Sequence, residues 1–259
     1  MTLRFWKLSG AGNDFVLLRG LPRGYAGAAL AKKLCDRRAG IGADGLLSIT
    51  RHGRMIRLSY WNADGSPAFC GNGSRCAALW AKAMGWTNKT HFVLGTNRGP
   101  LPVRLTGKGR AEVGMPDPTS LRLGLRLKAL GKTHTVHSVD TGVPHAVVFV
   151  PDIERIAVRS LGRALRSHKA FGRSGANVDF VSVKNGSLSL RTYERGVEDE
   201  TFSCGTGVVA AGFVARVLGK AGPAAQVIVR SGAKLNVSFL DGARLEGPGE
   251  IIFTGEVAL

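Results

Sequence analysis

Phe69-Cys70-Gly71-Asn72-Gly73-Ser74-Arg75-Cys76 is the stretch that decides the fold, because its pattern returns as Ser203-Cys204-Gly205-Thr206-Gly207. In both copies Cys-Gly-x-Gly opens an apolar run that predicts a helix. Each run carries a basic residue and then a glycine at matching distances from its cysteine: Lys82 and Gly85, Arg216 and Gly219. A glycine just past the last apolar turn is the usual helix stop. Each cysteine is therefore expected at the start of a buried helix, with Asn72 and Thr206 as the N-cap residues.

A thiol at a helix start lies beside backbone N–H groups and the positive end of the helix dipole. These features favour the thiolate over the ordinary thiol, whose pKa is about 8.5, and the same N–H groups can bind a carboxylate. Cys204 follows Cys70 by 134 residues in a chain of 259, so we expect two similar halves that face each other across one cleft. One thiolate could then take a proton from a carbon while the opposite thiol returns one, which inverts that centre without a cofactor.

The composition is that of a globular protein, since 44% of the residues are hydrophobic and the chain is long enough to bury real cores. It contains no run of about 18 apolar residues, and its N-terminus lacks the apolar segment of a secretory signal. Four cysteines are too few for a disulfide scaffold in a chain of this length. We therefore expect a cytoplasmic protein with reduced thiols and no membrane partner.

The net charge of +18 raises the question of nucleic acid as a partner. The basic residues are nevertheless scattered, without a long block or a recognisable nucleic-acid motif. Arginines recur every three or four residues from Arg155 to Arg166, which is typical of the solvated side of a helix with Leu161 and Leu165 inward. We expect no nucleic-acid partner. A basic nucleic-acid-binding module remains the alternative from a different class, although it leaves the doubled cysteine motif unexplained.

Short alternating runs predict strands around both cysteine helices. They lie near 3–8, 14–18, 46–50, 55–61, 91–96, 101–106, 110–114, 121–128, 133–139, 145–150, 178–183, 188–194, 225–230, 234–239, 242–246 and 250–256, with a further helix from Ala28 to Arg38. Two prolines, Pro116 and Pro118, mark a domain junction. The prediction is an α+β fold of two pseudo-symmetric domains, residues 1–116 and 117–259, with the last strand (about 249–259) able to pack back on the first. Each domain is expected to be a curled, mostly antiparallel sheet around a central helix, with the active site in the cleft between them.

Several single residues carry chemistry only in the context of such a cleft. His145, at the start of an apolar strand, could tune the proton affinity of a thiol. Arg195 offers a bidentate fork for a carboxylate, and Glu194 an acceptor for an ammonium group, although such a pair is usually a surface ion pair. Cys76 is interpreted as packing. A metal site at Cys70 and Cys76 is the weaker alternative, because their spacing matches no common zinc pattern.

With these residues in view, the chain closely resembles the bacterial diaminopimelate epimerases over nearly its whole length. The resemblance rests on the following motifs: Gly10-Ala11-Gly12-Asn13-Asp14-Phe15, Gly40-Ile41-Gly42-Ala43-Asp44-Gly45, Asn62-Ala63-Asp64-Gly65-Ser66, Cys70-Gly71-Asn72-Gly73, Pro144-His145, Asn177-Val178-Asp179-Phe180, Glu194-Arg195-Gly196 and Cys204-Gly205-Thr206-Gly207. It implies a two-base epimerase, needing neither cofactor nor metal, that interconverts LL- and meso-diaminopimelate on the route to lysine and peptidoglycan. The implied partner is this small molecule, and a homodimer is one assembly open to the chain.

The resemblance also implies a role for each matching residue. Cys70 and Cys204 are the acid and base, while His145 and Glu194 modulate the thiols. The remaining positions bind the substrate: Asn13, Asn62, Gly71, Asn72, Asn177, Glu194, Arg195, Gly205 and Thr206. Val143 and Gly45 differ from some members of the family and are assigned no contact. The alternative within this architecture is another amino-acid racemase, such as a proline-type enzyme, but the Glu194-Arg195 pair favours a substrate with two polar ends.

Overall fold

The computed structural model describes residues 1–53, 55–184 and 186–259. The chain divides into two compact units, the first formed by Met1–Val113 with Glu246–Leu259 and the second by Gly114–Leu245. Strands and helices alternate through both units, so the predicted α+β class is confirmed.

The elements of these described residues are the following, in chain order. They are β1 (Thr2–Gly10), β2 (Asn13–Leu18), α1 (Gly27–Cys35), β3 (Gly45–His52), β4 (Met55–Asn62), α2 (Gly71–Ala83), β5 (His91–Thr96), β6 (Gly99–Gly107), β7 (Arg110–Gly114), β8 (Thr119–Ala129), β9 (Lys132–Asp140), β10 (Pro144–Phe149), α3 (Val158–Arg166), a 3₁₀ turn (Lys169–Phe171), β11 (Asn177–Lys184), β12 (Ser187–Glu194), β13 (Asp199–Thr201), α4 (Gly205–Val217), β14 (Ala224–Ile228), β15 (Lys234–Ser238), β16 (Arg244–Pro248) and β17 (Glu250–Ala258). The predicted strands are all present, whereas β13 was not predicted.

The first unit wraps a mostly antiparallel sheet around α2. Strand β1 pairs antiparallel with β17 and β2, β2 pairs parallel with β3, and β3 pairs antiparallel with β4. Beyond β4 lie β5, β6 and β7, joined by one parallel and two antiparallel pairings. Helix α2 contacts β1, β2, β6 and β17, and it buries Ala77, Trp80 and Ala81 completely. The helix is therefore the centre of this unit.

The second unit repeats the arrangement around α4. Strand β9 pairs antiparallel with β8 and β10, β10 pairs parallel with β11, and β11 pairs antiparallel with β12. Strand β12 also pairs with β13 and β14, and β14 pairs with β15. Helix α4 contacts β10, β11, β12 and β15. Its Val208, Val209 and Val214 are fully buried, as expected of a helix at the centre of an apolar core.

The two cysteine helices correspond residue by residue. Each is thirteen residues long and follows its cysteine directly, with Cys70 and Cys204 in the extended N-cap conformation. Each ends before a glycine in the left-handed region, Gly85 with φ 69° and Gly219 with φ 66°. Only glycine adopts that conformation without strain, which is why both helices end there as predicted.

Three local predictions were wrong in detail. The N-cap residues are the cysteines themselves rather than Asn72 and Thr206. Helix α1 ends at Cys35 because Asp36 Oδ1 accepts the backbone N–H groups of Arg38 and Ala39, each at 2.7 Å, in a turn that competes with the helix. Helix α3 begins at Val158 and so excludes Arg155, although its inward Leu161 and Leu165 are buried as predicted.

Candidate active site

Cys70 is held at the start of α2 by its own sulfur. Its Sγ accepts a hydrogen bond from the Gly73 N–H at 3.3 Å, and its carbonyl accepts one from Ser74 Oγ at 2.9 Å. The residue is half-buried. The thiol thus takes the place of the oxygen acceptor that usually caps a helix, and it lies where the first N–H groups of α2 point.

A chain of side-chain hydrogen bonds runs from this helix start to the edge of the sheet. Arg75 Nη2 donates to Asn72 Oδ1 at 2.8 Å, and Asn72 Nδ2 donates to Asn13 Oδ1 at 2.6 Å. Asn13 Nδ2 then donates to Asp44 Oδ2 at 2.9 Å. Arginine only donates and a carboxylate only accepts, so the two ends of the chain determine the orientation of both amides.

Asn62 lies at the same edge of this sheet. It ends β4 opposite Gly45, at the start of β3. The side chain accepts from Tyr60 Oη at 2.9 Å and donates to Ser66 Oγ at 2.9 Å. Of the predicted residues in the first unit, the structure joins Cys70, Asn72 and Asn13 through α2 and places Asn62 at the neighbouring strand end.

Cys204 occupies the corresponding place at the start of α4, but its surroundings differ. The residue is only 7% exposed, and its Sγ lies 3.4 Å from Thr206 Oγ1. Burial, together with the charges of Glu194 and Asp179, raises the pKa of Cys204 well above its usual value. The expectation that the helix start favours a thiolate is therefore wrong for Cys204 in this structure. Desolvation and nearby carboxylates outweigh the helix dipole.

His145 and Asp179 form a fully buried pair beneath α4. Their neighbouring strands β10 and β11 run parallel, and His145 Nδ1 lies 2.6 Å from Asp179 Oδ2. Thr192 Oγ1 donates to Asp179 Oδ1 at 2.7 Å. A Cβ atom added to Gly207 would lie 2.6 Å from that same oxygen, so the carboxyl group packs directly against the first turn of the helix.

The side chain of Asn177 hydrogen-bonds to the backbone at two other places where predicted site residues lie. Its Oδ1 accepts the backbone N–H of Arg195 at 2.9 Å, and its Nδ2 donates to the carbonyl of Pro144 at 3.3 Å. Glu194 ends β12, and its Oε2 accepts from Thr201 Oγ1 at 2.8 Å. Arg195 Nη1 donates to the Gly175 carbonyl at 3.4 Å. The structure therefore gathers His145, Asn177, Glu194 and Arg195 at the ends of three adjacent strands.

Sequence reasoning missed Arg75, Asp44 and Asp179 as site residues, although all three lie in motifs that it quoted. A signal existed for two of them. Asp179 interrupts the buried part of a strand, and Arg75 stands in a helix whose next five residues, Cys76 to Trp80, are apolar. Charged residues are rarely buried unless paired, so a charge inside such a run indicates a specific partner.

Cys76 packs as predicted. It is buried, and its Sγ donates to the Ser9 carbonyl at 3.3 Å. Within residues 1–53, 55–184 and 186–259, no cluster of three or more His, Cys, Asp or Glu side chains is arranged to hold a metal ion. Nor does any helix in this part of the chain have the length and apolar character needed to cross a membrane.

The fold defined by these two units is shared with solved structures of amino-acid epimerases and related proteins. A phenazine biosynthesis protein of the PhzF family from Bacillus anthracis matches with a TM-score of 0.79 and 13% identity, over 100% of both chains. A hydroxyproline epimerase from Agrobacterium vitis matches with a TM-score of 0.72 and 16% identity, over 100% of this chain and 93% of the other.

Sequence comparison narrows this class to one family. The diaminopimelate epimerase family model matches residues 5–121 and 137–245. The diaminopimelate epimerase of Chlorobaculum tepidum is 38% identical over 263 residues, which cover 97% of this chain and 100% of the relative. The chain belongs to the diaminopimelate epimerase family, and the resemblance inferred from the motifs is confirmed.

Proposed function

We propose that this protein is a two-base epimerase that interconverts LL-2,6-diaminopimelate and meso-diaminopimelate, an isomerase of lysine and peptidoglycan precursor biosynthesis. The observation that carries the proposal is the doubled helix start, in which Cys70 and Cys204 cap two equivalent helices. Family membership supports the reaction and the substrate.

The proposed reaction needs one thiolate and one thiol. The thiolate removes the α-proton, so that an S–H bond forms as the C–H bond breaks. The electron pair left on the carbon spreads into the adjacent carboxylate as an enolate. The thiol on the opposite face then gives its proton to the carbon. The centre is inverted, and the protonation states of the two sulfurs are exchanged.

The starts of α2 and α4 supply the electrostatic part of this proposal. The first N–H groups of a helix have no intrahelical acceptor, and the dipole favours negative charge at that end. The N–H groups at Gly71 and Asn72, and at Gly205 and Thr206, would therefore hold the reacting carboxylate as it gains charge. A donor of this kind is typically worth about 3 kcal/mol of barrier, which lets this chemistry proceed without an electron-withdrawing cofactor.

The remaining predicted residues would hold the substrate in place. In the first unit, Asn13, Asn62 and Asn72 present amides whose orientations are set by neighbouring side chains. In the second, Arg195 and Glu194 would pair with the distal carboxylate and ammonium groups, and Asn177 holds the backbone of Arg195. Buried or half-buried donors and acceptors of this kind select substrates that satisfy all of them.

The proposal assigns one catalytic thiol to each domain. It also places the enzyme in the cytoplasm, where thiols stay reduced; none of the four cysteines is in a disulfide. A homodimer and the absence of a nucleic-acid partner stay predictions from the sequence.

The direct test is incubation with LL-diaminopimelate in deuterium oxide, followed by chiral separation and mass spectrometry. We expect meso-diaminopimelate carrying deuterium at the inverted carbon, because the incoming proton comes from a thiol that exchanges with solvent. Absence of interconversion by folded protein would reject the proposal. Epimerisation of hydroxyproline or proline at comparable efficiency would instead favour the alternative of a broader racemase with the same fold.

A further inference from the structure

The two helix starts are equivalent in backbone, so a difference between their thiols must come from side chains. Matching positions can be compared directly. Arg75 and Val209 each stand five residues after their cysteine, and both are fully buried. One thiol therefore shares its helix with a buried cation, and the other shares its helix with a buried valine.

A second difference lies beneath the helices. In the first unit, a Cβ atom added to Gly73 would meet the apolar side chains of Leu47 and Phe15, at 3.0 and 3.5 Å. Leu47 lies two residues after Gly45, which pairs with Phe15 across parallel strands. In the second unit the same positions hold Asp179 and His145, because Asp179 lies two residues after Asn177, which pairs with His145. An apolar pair under α2 is thus replaced by an ionisable pair under α4.

The charge of Arg75 is only partly satisfied. Nη2 donates to Asn72, but Nε and Nη1 are buried without a hydrogen-bond partner among the described residues. Burial lowers the pKa of Arg75 to about 10, with Cys76 and Cys70 acting in the opposite direction, so the guanidinium is charged near neutral pH. A buried cation that lacks a full set of partners stabilises any anion that forms nearby.

Of the two thiols beside Arg75, Cys70 is the one able to use this charge. Burial raises the pKa of Cys76 to about 12, and its Sγ donates to Ser9, so Cys76 stays neutral. Cys70 is half-buried and already accepts the Gly73 N–H. The other charged neighbours of Arg75, Arg110 and Glu246, are paired with each other at 2.8 Å and oppose one another.

Around Cys204 the charges have the opposite sign. Glu194 from β12 and Asp179 from β11 both disfavour a thiolate there, in addition to burial. His145 from β10 is bonded to Asp179, and the guanidinium of Arg195 donates to Gly175. Leu47 and Phe15 stand in place of Asp179 and His145 in the first unit, and Asn62, which ends β4 as Glu194 ends β12, is uncharged. The two carboxylates near Cys204 therefore have no charged counterparts at these matching positions.

We infer that Arg75 and Asp179 are positioning residues that give the two thiols different proton affinities, so that Cys70 is the thiolate and Cys204 the thiol in the substrate-free enzyme. This inference rests on the proposed two-thiol function and specifies which thiol is the base. In the substrate-free enzyme, Cys70 is the residue ready to remove the α-proton. A pair of identical sites would instead leave much of the protein with two thiols or two thiolates.

The test is the pH dependence of alkylation in the substrate-free protein. The protein is treated with iodoacetamide across a pH series, and labelling of each cysteine peptide is quantified by mass spectrometry. The thiolate is the reactive form. The midpoint of each pH profile therefore gives the pKa of that thiol, and the plateau shows how accessible its sulfur is to iodoacetamide. We expect the Cys70 midpoint to lie at least about one pH unit below that of Cys204. A Cys204 midpoint equal to or below that of Cys70 would overturn the inference without any variant.

Variants then assign the effect to residues. Arg75→Met should move the Cys70 midpoint upward by about one unit or more while leaving that of Cys204 in place. Arg75→Lys, which keeps the charge, should restore much of the Cys70 profile, and Val209→Ala is the matched control on α4. Asp179→Asn should lower the Cys204 midpoint alone. Unmoved midpoints in folded Arg75→Met and Asp179→Asn would reject the two residues as the cause. No substrate is used, so these results are independent of the epimerase assay.

Discussion

Arg75 Nη2 lies 2.8 Å from Asn72 Oδ1, so an asparagine of the proposed site is the hydrogen-bond partner of a fully buried cation. The same asparagine donates to Asn13, which in turn donates to Asp44. The amides of Asn72 and Asn13, which are proposed to bind substrate, therefore also belong to the hydrogen-bond chain that stabilises the buried guanidinium of Arg75. We therefore expect substitutions at these amides to change stability as well as substrate binding.

Asn72→Ala should consequently destabilise the protein more than an ordinary N-terminal helix substitution. It removes a hydrogen bond to a buried charge, for which we expect a loss of about 2 to 3 kcal/mol in the free energy of unfolding. Thr206→Ala is the matched control, since it occupies the same position on α4 without a buried arginine, and should cost less than about 1 kcal/mol. Denaturant unfolding of both variants measures the difference. Equal losses would show that Arg75 does not depend on Asn72.

Single alanine substitutions at Cys70 and Cys204 should each abolish epimerisation, because each thiol would serve one face of the carbon. Turnover is measured on variants whose folded fraction matches wild type by circular dichroism. Cys35→Ala is the control, since this buried cysteine packs in the apolar cluster around α1, and it should stay active. If either catalytic variant retained more than a few per cent of turnover, the two-thiol mechanism would be wrong.

Protonation of Asp14 should lower the free energy of unfolding in acid. Burial raises its pKa, but the hydrogen bonds and charges of Arg37 and Lys7 outweigh burial and lower the pKa to about 2. A carboxyl group with a lowered folded-state pKa contributes stability above its unfolded value, near 3.9, and loses it as the pH falls towards 2. Because Arg37 is 59% exposed, we expect Arg37→Ala to cost only about 1 kcal/mol at neutral pH.

The matching measurement is the free energy of unfolding of wild type and Arg37→Ala between pH 2 and 7. The two curves should approach each other as the pH falls from about 4 towards 2, the range in which Asp14 becomes protonated in the folded wild type. A gap that stayed constant down to pH 2 would assign the effect of Arg37 to a contact that does not titrate, rather than to its ion pairs with Asp14 and Asp44.

Arg195 and Glu194 should make the enzyme selective for a substrate with two amino-acid ends. Lysine lacks the distal carboxylate and would leave the guanidinium unsatisfied, a mismatch that can cost roughly 10⁴-fold. We expect lysine to be processed at least about a thousandfold less efficiently than diaminopimelate, equivalent to about 4 kcal/mol. Arg195→Met should narrow that ratio mainly by slowing the diaminopimelate reaction. The measurement is the ratio of kcat/KM for diaminopimelate to kcat/KM for lysine, in wild type and in Arg195→Met. Similar kcat/KM values for the two substrates in wild type would reject the predicted selectivity.

Much of the framework was predictable from the sequence because it depends on local patterns. The two apolar runs, each followed by glycine, determine where α2 and α4 end, since only Gly85 and Gly219 accept the left-handed conformation required there. Alternating apolar residues determined the strands, and the repeated motif determined which two cysteines are equivalent. The family also followed from these residues.

The environments of those cysteines were decided by tertiary structure alone. His145 and Asp179 are 34 residues apart and meet only because β10 and β11 pair in parallel at that register. The helix dipole acts on both thiols from nearby residues, and on that ground the sequence predicted that both helix starts would favour a thiolate. Desolvation, Asp179 and Glu194 reverse the outcome at Cys204, and Arg75 is buried beside Cys70. Proton affinity depends on burial and on charges brought from distant segments, neither of which a local pattern contains.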